Sequence, residues 1–558
     1  MNRSNGGIRG ARWKRRGALH ALLATTIALL AACGESQAPQ LPGSAVPGGP
    51  DVVDTTVGAN RAEWIDDRLN VDVPVPIIAI GFDADQIAAL QAALPPHTVL
   101  HNNGDLNQSL PPDVDEAQEQ QDFSVLLPLA GETFTVPVVP TAQYQVRAAP
   151  DGLVAGFERT LASAKLSDTI YDANLVEDYF AAALPQHGFA TNPNAPPLVI
   201  LHLEAFGIGE HAWRTTGTTG FLEPVRLFGA RQPLLVFDPS ALADPYGGDD
   251  GFRAPVGAGD SANIARFVVA LTEFRILQGS IYPIALDACH AVTGIMAVRE
   301  TSVAQATPLL RPVEETLFED NLRRSFENLT GAPTHFDFKL LYLPADDPVL
   351  DALLRLEFPG MEVLRAYLST NFDRYHVAHE GCEAYLSVVA QSDAAAVPGG
   401  GVLGIGTYDD SPGHRISMSW VHDAFRLLFD PESPVGIYAG SGQEYLNWWE
   451  YLFSHETGHL YGQRHPHDIS SDSYEGDPAD PLGSDNAYSS IWTSMSYQQD
   501  GRMIDFGYTD QANWKRNRAG YALREAAAAG REGSAEWNAA MAHASRLEWT
   551  AVWETLRQ

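Results

Sequence analysis

His455-Glu456-Thr457-Gly458-His459-Leu460-Tyr461-Gly462-Gln463-Arg464-His465 places three imidazoles, one carboxyl and two glycines within eleven residues. In a helix, residues four apart share a face, so His455 and His459 can offer ring nitrogens to one ion. Glu456 sits one step round, beside a metal rather than on it. A carboxylate there can take a proton from a zinc-bound water whose pKa has fallen to about 7. Gly462 tolerates positive φ, so it can stop the helix and turn the chain until His465 reaches the ion. The pattern is that of a catalytic zinc site with three protein ligands, His455, His459 and His465, and a fourth position left for water and substrate. His467 is a competing imidazole two residues on, but the G-x-x-H spacing favours His465.

Upstream, Ser441-Gly442-Gln443-Glu444 has the form of a capping box, and Tyr445, Trp448, Trp449, Leu452 and Phe453 follow at helical spacing. The spacing predicts one helix from about Gly442 to Tyr461, with the aromatic stripe as its packing face. Downstream comes Thr493-Ser494-Met495-Ser496-Tyr497. The extended motif followed by this methionine resembles the metzincin clan of zinc metallopeptidases, in which a tight turn carries a methionine beneath the zinc ligands. Met495 matches that Met-turn position. Pro466 after the third histidine and the wording Ser494-Met495-Ser496-Tyr497 resemble the serralysin-like branch. That resemblance gives Tyr497 a role as switchable fifth ligand or phenol donor to an oxyanion. It covers about Gly442 to Trp514, with a further helix expected to open at Thr509 or Asp510.

The amino terminus reads as an export signal: Arg3, Arg9, Arg12, Lys14, Arg15 and Arg16 precede an apolar run from Ala18 to Ala32. Leu30-Ala31-Ala32-Cys33 resembles a lipobox, which implies a bacterial lipoprotein anchored to a membrane through lipid on Cys33. The Gly34 that follows suits outer-membrane sorting or the surface of a Gram-negative cell envelope. The chain carries 36 Lys+Arg against 70 Asp+Glu, a net charge of −34. Removing residues 1–32 takes away six basic and no acidic residues, leaving −40. Charge of that sign argues against a nucleic-acid partner.

Residues 33–60, rich in Pro, Gly, Ser and Ala, read as a flexible tether able to span roughly 30 Å. The expected fold is multidomain, α/β and α+β. Residues 61–245 form an α/β domain, with strands at Pro76–Phe82, Pro197–Glu204 and Gln232–Asp238 and helices at Ala84–Leu94 and Leu175–Ala183. A mainly helical region, 246–330, follows. Residues 331–558 make the metzincin-like catalytic domain, opened by a strand at Thr334–Leu343 and closed by C-terminal helices. The glycines near Val402–Ile405 mark either a loop or a strand edge to which an extended peptide could add.

Cys289 and Cys382 can form a disulfide in an oxidising compartment; alternatively Cys289, in Asp287-Ala288-Cys289-His290, could lend a thiolate to the zinc as a latch. His376, His379, Glu380 and Cys382 read either as packing residues or as a second metal set. Asp468, Asp472, Glu475, Asp477, Asp480 and Asp485 form a solvated acidic loop or hold calcium. The functional expectation is a tethered zinc metalloendopeptidase acting on protein or peptide substrates, with Glu456 as base. Two alternatives stand beside it: a zinc hydrolase of another clan completed by a downstream Glu such as Glu475, and a zinc-binding lipoprotein that binds other proteins.

Overall fold

The computed structural model describes residues 61–66, 68–99, 138–189, 192–214, 226–242, 256–277, 289–299, 312–343, 347–354, 361–392, 404–408, 414–422, 453–461, 463, 493–495 and 505–557. All lie within one unit, Asp54–Gln558. Cys33, His465, His467, Tyr497, the capping box and the acidic stretch 468–485 lie outside the described residues. Among the described residues no helix is long and apolar enough to cross a membrane.

The first sheet has seven strands: β1 (Ala62–Ile65), β2 (Arg68–Ile80), β3 (Thr98–Val99), β4 (Val138–Ala148), β6 (Leu198–Leu201), β8 (Leu227–Gly229) and β9 (Leu235–Phe237). A short pair, β5 (Ile170–Asp172) and β7 (Ala212–Arg214), stands apart. The parallel order β4-β2-β6-β9 forms the centre, with β3 and β8 antiparallel at its margins. Strand β2 alternates buried and half-buried residues up to Pro76, then is buried throughout Ile77–Ile80. The change coincides with its second ladder, because β6 pairs only with Ile77–Ile80. Pro74 and Pro76 fall before that ladder, where a missing N–H donor is tolerated.

Helices cover both faces of this sheet. On one side α2 (Asp151–Ala164) and α3 (Ala173–Ala183) bury Phe157, Leu161, Val176 and Phe180 against Ile78, Ile80 and Val199. On the other, α1 (Ala84–Ala93) and α4 (Ser261–Leu277) meet Val71, Val73, Val75 and Ile200. That second layer is completed from the far end of the chain by α10 (Tyr508–Ala528), α11 (Ala535–Ala544) and α12 (Trp549–Arg557), through Ala519, Leu523, Trp537, Trp549 and Val552.

The second sheet runs β11-β10-β12-β14-β13, with β10 (His290–Arg299), β11 (Thr334–Leu343), β12 (Glu383–Ser392), β13 (Gly404–Tyr408) and β14 (His414–His422). Four strands are parallel; β13 pairs antiparallel to β14 and is the outermost strand among the described residues. Helix α5 (Pro312–Thr330) connects β10 to β11 and packs Leu322, Phe326 and Leu329 on one face, while Leu350, Leu368, Phe372 and Tyr375 cover the other. These last belong to α6 (Pro348–Leu354), α7 (Met361–Thr370) and α8 (Phe372–Tyr375).

Several elements match expectation closely, α1, β11 and β9 among them. Within the region expected to be mainly helical, 246–330, residues His290–Arg299 form the sheet's second strand from one end. Ala291–Ala297 are all buried, so this strand shows the unbroken burial of a two-sided parallel strand rather than alternation. Gly294 at its middle permits close packing: a Cβ there would lie 2.7 Å from Phe336 Cζ and 3.3 Å from Phe453 Cε1.

Cys289 and Cys382 form a disulfide, joining the residues just before β10 and β12 across 93 residues of chain. Closing a loop of that length restricts the unfolded chain, an effect of about 4–5 kcal/mol in the chain-entropy account. The double variant Cys289→Ser, Cys382→Ser is expected to lose about 2–5 kcal/mol of unfolding free energy. Denaturant titration under non-oxidising conditions checks this, and an unchanged midpoint would show that the bridge adds nothing.

Candidate metal centre

The helix 453–460 (α9) is buried at every residue. Its apolar positions explain one side: Phe453, Leu460 and the following Tyr461 join Phe326, Phe336, Tyr385 and Trp514 in a single core. Tyr461 is stacked between Tyr385, with ring centroids 4.7 Å apart, and Phe326, at 5.3 Å. Phe453 meets Phe336 edge-on at 6.3 Å. The helix therefore lies across α5 and the face of the second sheet.

His455, Glu456 and His459 are buried with it. His455 Nδ1 lies 2.8 Å from the Ser494 carbonyl oxygen, and His459 Nδ1 lies 2.8 Å from the Gln463 carbonyl oxygen. A carbonyl oxygen only accepts, so each ring carries its proton on Nδ1 and donates it there. That tautomer leaves Nε2 as the nitrogen with the lone pair on both rings, the arrangement in which a backbone carbonyl orients an imidazole ligand. The two rings are 5.1 Å apart and perpendicular, at 89°.

The Glu456 carboxyl is buried, and burial raises its pKa to about 8. Its Oε2 has no hydrogen-bond partner among the described residues. A buried carboxyl without a donor is costly, and a nearby cation would restore its charged form. Two Nε2 lone pairs one helical turn apart with a carboxyl one residue away make a donor set that fits a divalent cation.

The carbonyls that fix the imidazoles are themselves anchored. Residues 493–495 form a buried turn in which Met495 N–H donates to Thr493 Oγ1 at 3.1 Å and Ser494 N–H to the Asp505 carbonyl at 2.8 Å. Met495 packs directly on the helix: a Cβ on Gly458 would lie 2.5 Å from Met495 Sδ and 3.0 Å from Phe506 Cε1. Only glycine lets the turn come this near. At the other end, Gln463 N–H donates to the Gly458 carbonyl at 3.0 Å. The Gln463 side chain accepts from Asn513 Nδ2 at 3.3 Å, and the Asn513 oxygen accepts from Arg516 and Asn517 at 2.9 and 2.8 Å. Helix α10 thus braces His459 through Gln463.

The sheet grips the same end. Arg415, on β14, donates from Nη1 to the Leu460 carbonyl at 2.6 Å, while its Nε lies 2.8 Å from Glu383 Oε1 on β12. His290, on β10, meets Tyr461 edge-on at 5.1 Å, and burial together with the Arg518 and Arg415 cations lowers its pKa to about 3, keeping it neutral. Sequence reasoning singled out none of Arg415, Glu383, Gln463 or Asn513.

The structure brings His455, Glu456, His459 and Met495 together; it does not describe His465 or Tyr497. It separates the residues of the other candidate metal set. His376 Nε2 lies 3.1 Å from the Ala291 carbonyl oxygen, His379 Nε2 lies 2.7 Å from Asp337 Oδ2, Glu380 is exposed and Cys382 is in the disulfide. The same disulfide occupies Cys289, which therefore offers no thiolate latch to the helix. No protein-family model and no curated protein matches this chain.

Two substitutions test this construction. Gly458→Ala forces Met495 or the helix to move and is expected to cost about 1–3 kcal/mol, with weakened divalent-metal affinity measured by titration. Arg415→Met leaves the half-buried Glu383 without this cation and the Leu460 carbonyl without this donor. A loss of about 3 kcal/mol in unfolding free energy is expected; stability within 0.5 kcal/mol of wild type would show that the grip is incidental, since surface substitutions have about that effect.

Proposed function

We propose that the chain is a zinc-dependent metalloendopeptidase, exported and tethered to the cell envelope through lipid on Cys33. The observation that carries this reading is the shared orientation of His455 and His459: Nδ1 of each lies 2.8 Å from a main-chain carbonyl oxygen, which leaves Nε2 of both rings as the nitrogen suited to a metal. The extended motif supplies His465 as third ligand, by its resemblance to metzincins. Met495, packed on Gly458, supports the same clan. The Cys289–Cys382 bridge suits an oxidising compartment.

His455 and His459, with His465, would hold zinc, which would supply Lewis acidity and lower the pKa of a water. Glu456 takes the proton of the attacking water and passes it to the leaving amine. Burial holds the carboxyl away from bulk water, and a cation held by the neighbouring imidazoles would favour the charged form that accepts this proton. Tyr497, by its match to the serralysin-like position, donates its phenol O–H to the oxyanion. Strand β13 offers a place for substrate main chain. It is the outermost antiparallel strand, and its Tyr408 is the register partner of Arg415, the residue that holds the end of the zinc helix. An extended peptide pairing there gains main-chain hydrogen bonds without side-chain selection.

A mixed peptide library incubated with the purified chain tests the proposal. Cleavage should vanish with a zinc chelator, return on adding zinc, and fall by at least 10²-fold in Glu456→Ala, the lower end of what general-base catalysis contributes. Full activity in Glu456→Ala would refute the mechanism. Stoichiometric zinc without cleavage would favour a protein-binding lipoprotein instead.

A further inference from the structure

The second sheet carries another set of metal-ligating side chains that shares no residue with the His455–His459 centre. Cys289 Sγ, Cys382 Sγ and a ring nitrogen of His335 all lie within 4.8 Å of one another. Parallel register creates this grouping. Cys289 directly precedes β10 and Cys382 directly precedes β12, whose first residues, His290 and Glu383, are register partners. His335 is the second residue of β11 and pairs with Ala291. Three adjacent strands therefore start side by side, each bringing one donor to the same end of the sheet.

While the disulfide is closed, its sulfurs are bonded to each other and neither is a thiolate, the form that binds metal. We infer that reduction converts Cys289, Cys382 and His335 into a redox-gated binding site for a zinc-class cation. The electron balance is simple. A dithiol reductant gives two electrons and two protons to the S–S bond, which breaks into two thiols as the reductant becomes a disulfide. The incoming ion then displaces both thiol protons and is held by two thiolates and one imidazole, with water completing four-coordination. Tetrahedral zinc, with sulfur at about 2.3 Å and nitrogen at about 2.0–2.1 Å, needs ligand atoms roughly 3.5–3.8 Å apart. The present spacing lies within reach of that value.

Two further features suit a ligand site. His335 stacks flat on His379, with centroids 3.9 Å apart and 10° between planes, and His379 is in turn held by Asp337 at 2.7 Å. The His335 ring is therefore held against a second imidazole that is itself fixed by Asp337. The cysteines are half-buried and His335 is exposed, so both a reductant and an ion can reach the group. Sulfur and imidazole donors together select zinc or monovalent copper over calcium or magnesium.

Zinc uptake by the full chain, measured before and after anaerobic treatment with a phosphine that is then removed, decides the matter. The reduced chain should take up about one equivalent more than the oxidised chain. That increment should disappear in Cys289→Ser, Cys382→Ser and in His335→Ala, an exposed position whose substitution leaves folding intact by circular dichroism. Cobalt in place of zinc should give thiolate charge-transfer absorption only after reduction. Equal uptake in the two redox states would overturn the inference, as would an increment that survives His335→Ala. Because no ligand of the first centre is involved, neither result depends on whether the chain cleaves peptides.

Discussion

Burial of a polar helix is the constraint on which the rest of this structure depends. Residues 453–460 carry two imidazoles and a carboxyl, yet the helix is enclosed on every side. Burying the imidazoles costs little when their hydrogen-bonding atoms are met, whereas the Glu456 carboxyl keeps Oε2 without a partner among the described residues. Both Nδ1 atoms are met by main-chain carbonyls, and those carbonyls belong to segments far away in sequence or just past the helix end. The ring orientation that suits a metal and the satisfaction of buried polar groups are thus one arrangement.

Several layers converge to hold it. Below, the turn at 493–495 presses Met495 onto the bare backbone of Gly458. Alongside, Tyr461 is stacked between Phe326 of α5 and Tyr385 of β12. At the C-terminal end, Arg415 and Glu383 tie the Leu460 carbonyl to two strands. Helix α10 reaches both cores, with Trp514 beside the helix and Leu523 in the first sheet's core. The disulfide stands one residue before His290 and Glu383, so it fixes the strand starts from which two of these contacts arise.

Local spacing was legible in the sequence, and long-range partnership was not. His455, Glu456, His459 and Met495 stand in motifs whose spacing encodes their relation, and the structure puts them side by side. Helix α1 was visible through the helical pattern of Ala84–Leu94, and β9 through a run of apolar residues ending at Asp238. Strand β10 was hidden because a strand buried on both faces loses the alternation that identifies strands. Arg415 gives no local sign of its task, since the carbonyl it grips is 45 residues away, and Asn513 is 50 residues from Gln463. Such pairings are set by how sheets and helices stack, which neither periodicity nor a motif records. The C-terminal helices show the same limit: their patterns announced helices, but not that Trp537 and Trp549 would pack on a sheet formed by residues 62–237.

X-ray absorption at the zinc edge, on the purified full-length chain with its disulfide intact, tests the central claim most directly. A nitrogen- and oxygen-dominated shell at about 2.0–2.1 Å with imidazole scattering is the predicted result, and it should vanish in His455→Ala. Absence of stoichiometric zinc, or a shell dominated by sulfur at about 2.3 Å, would contradict the assignment of His455 and His459 as the ligands.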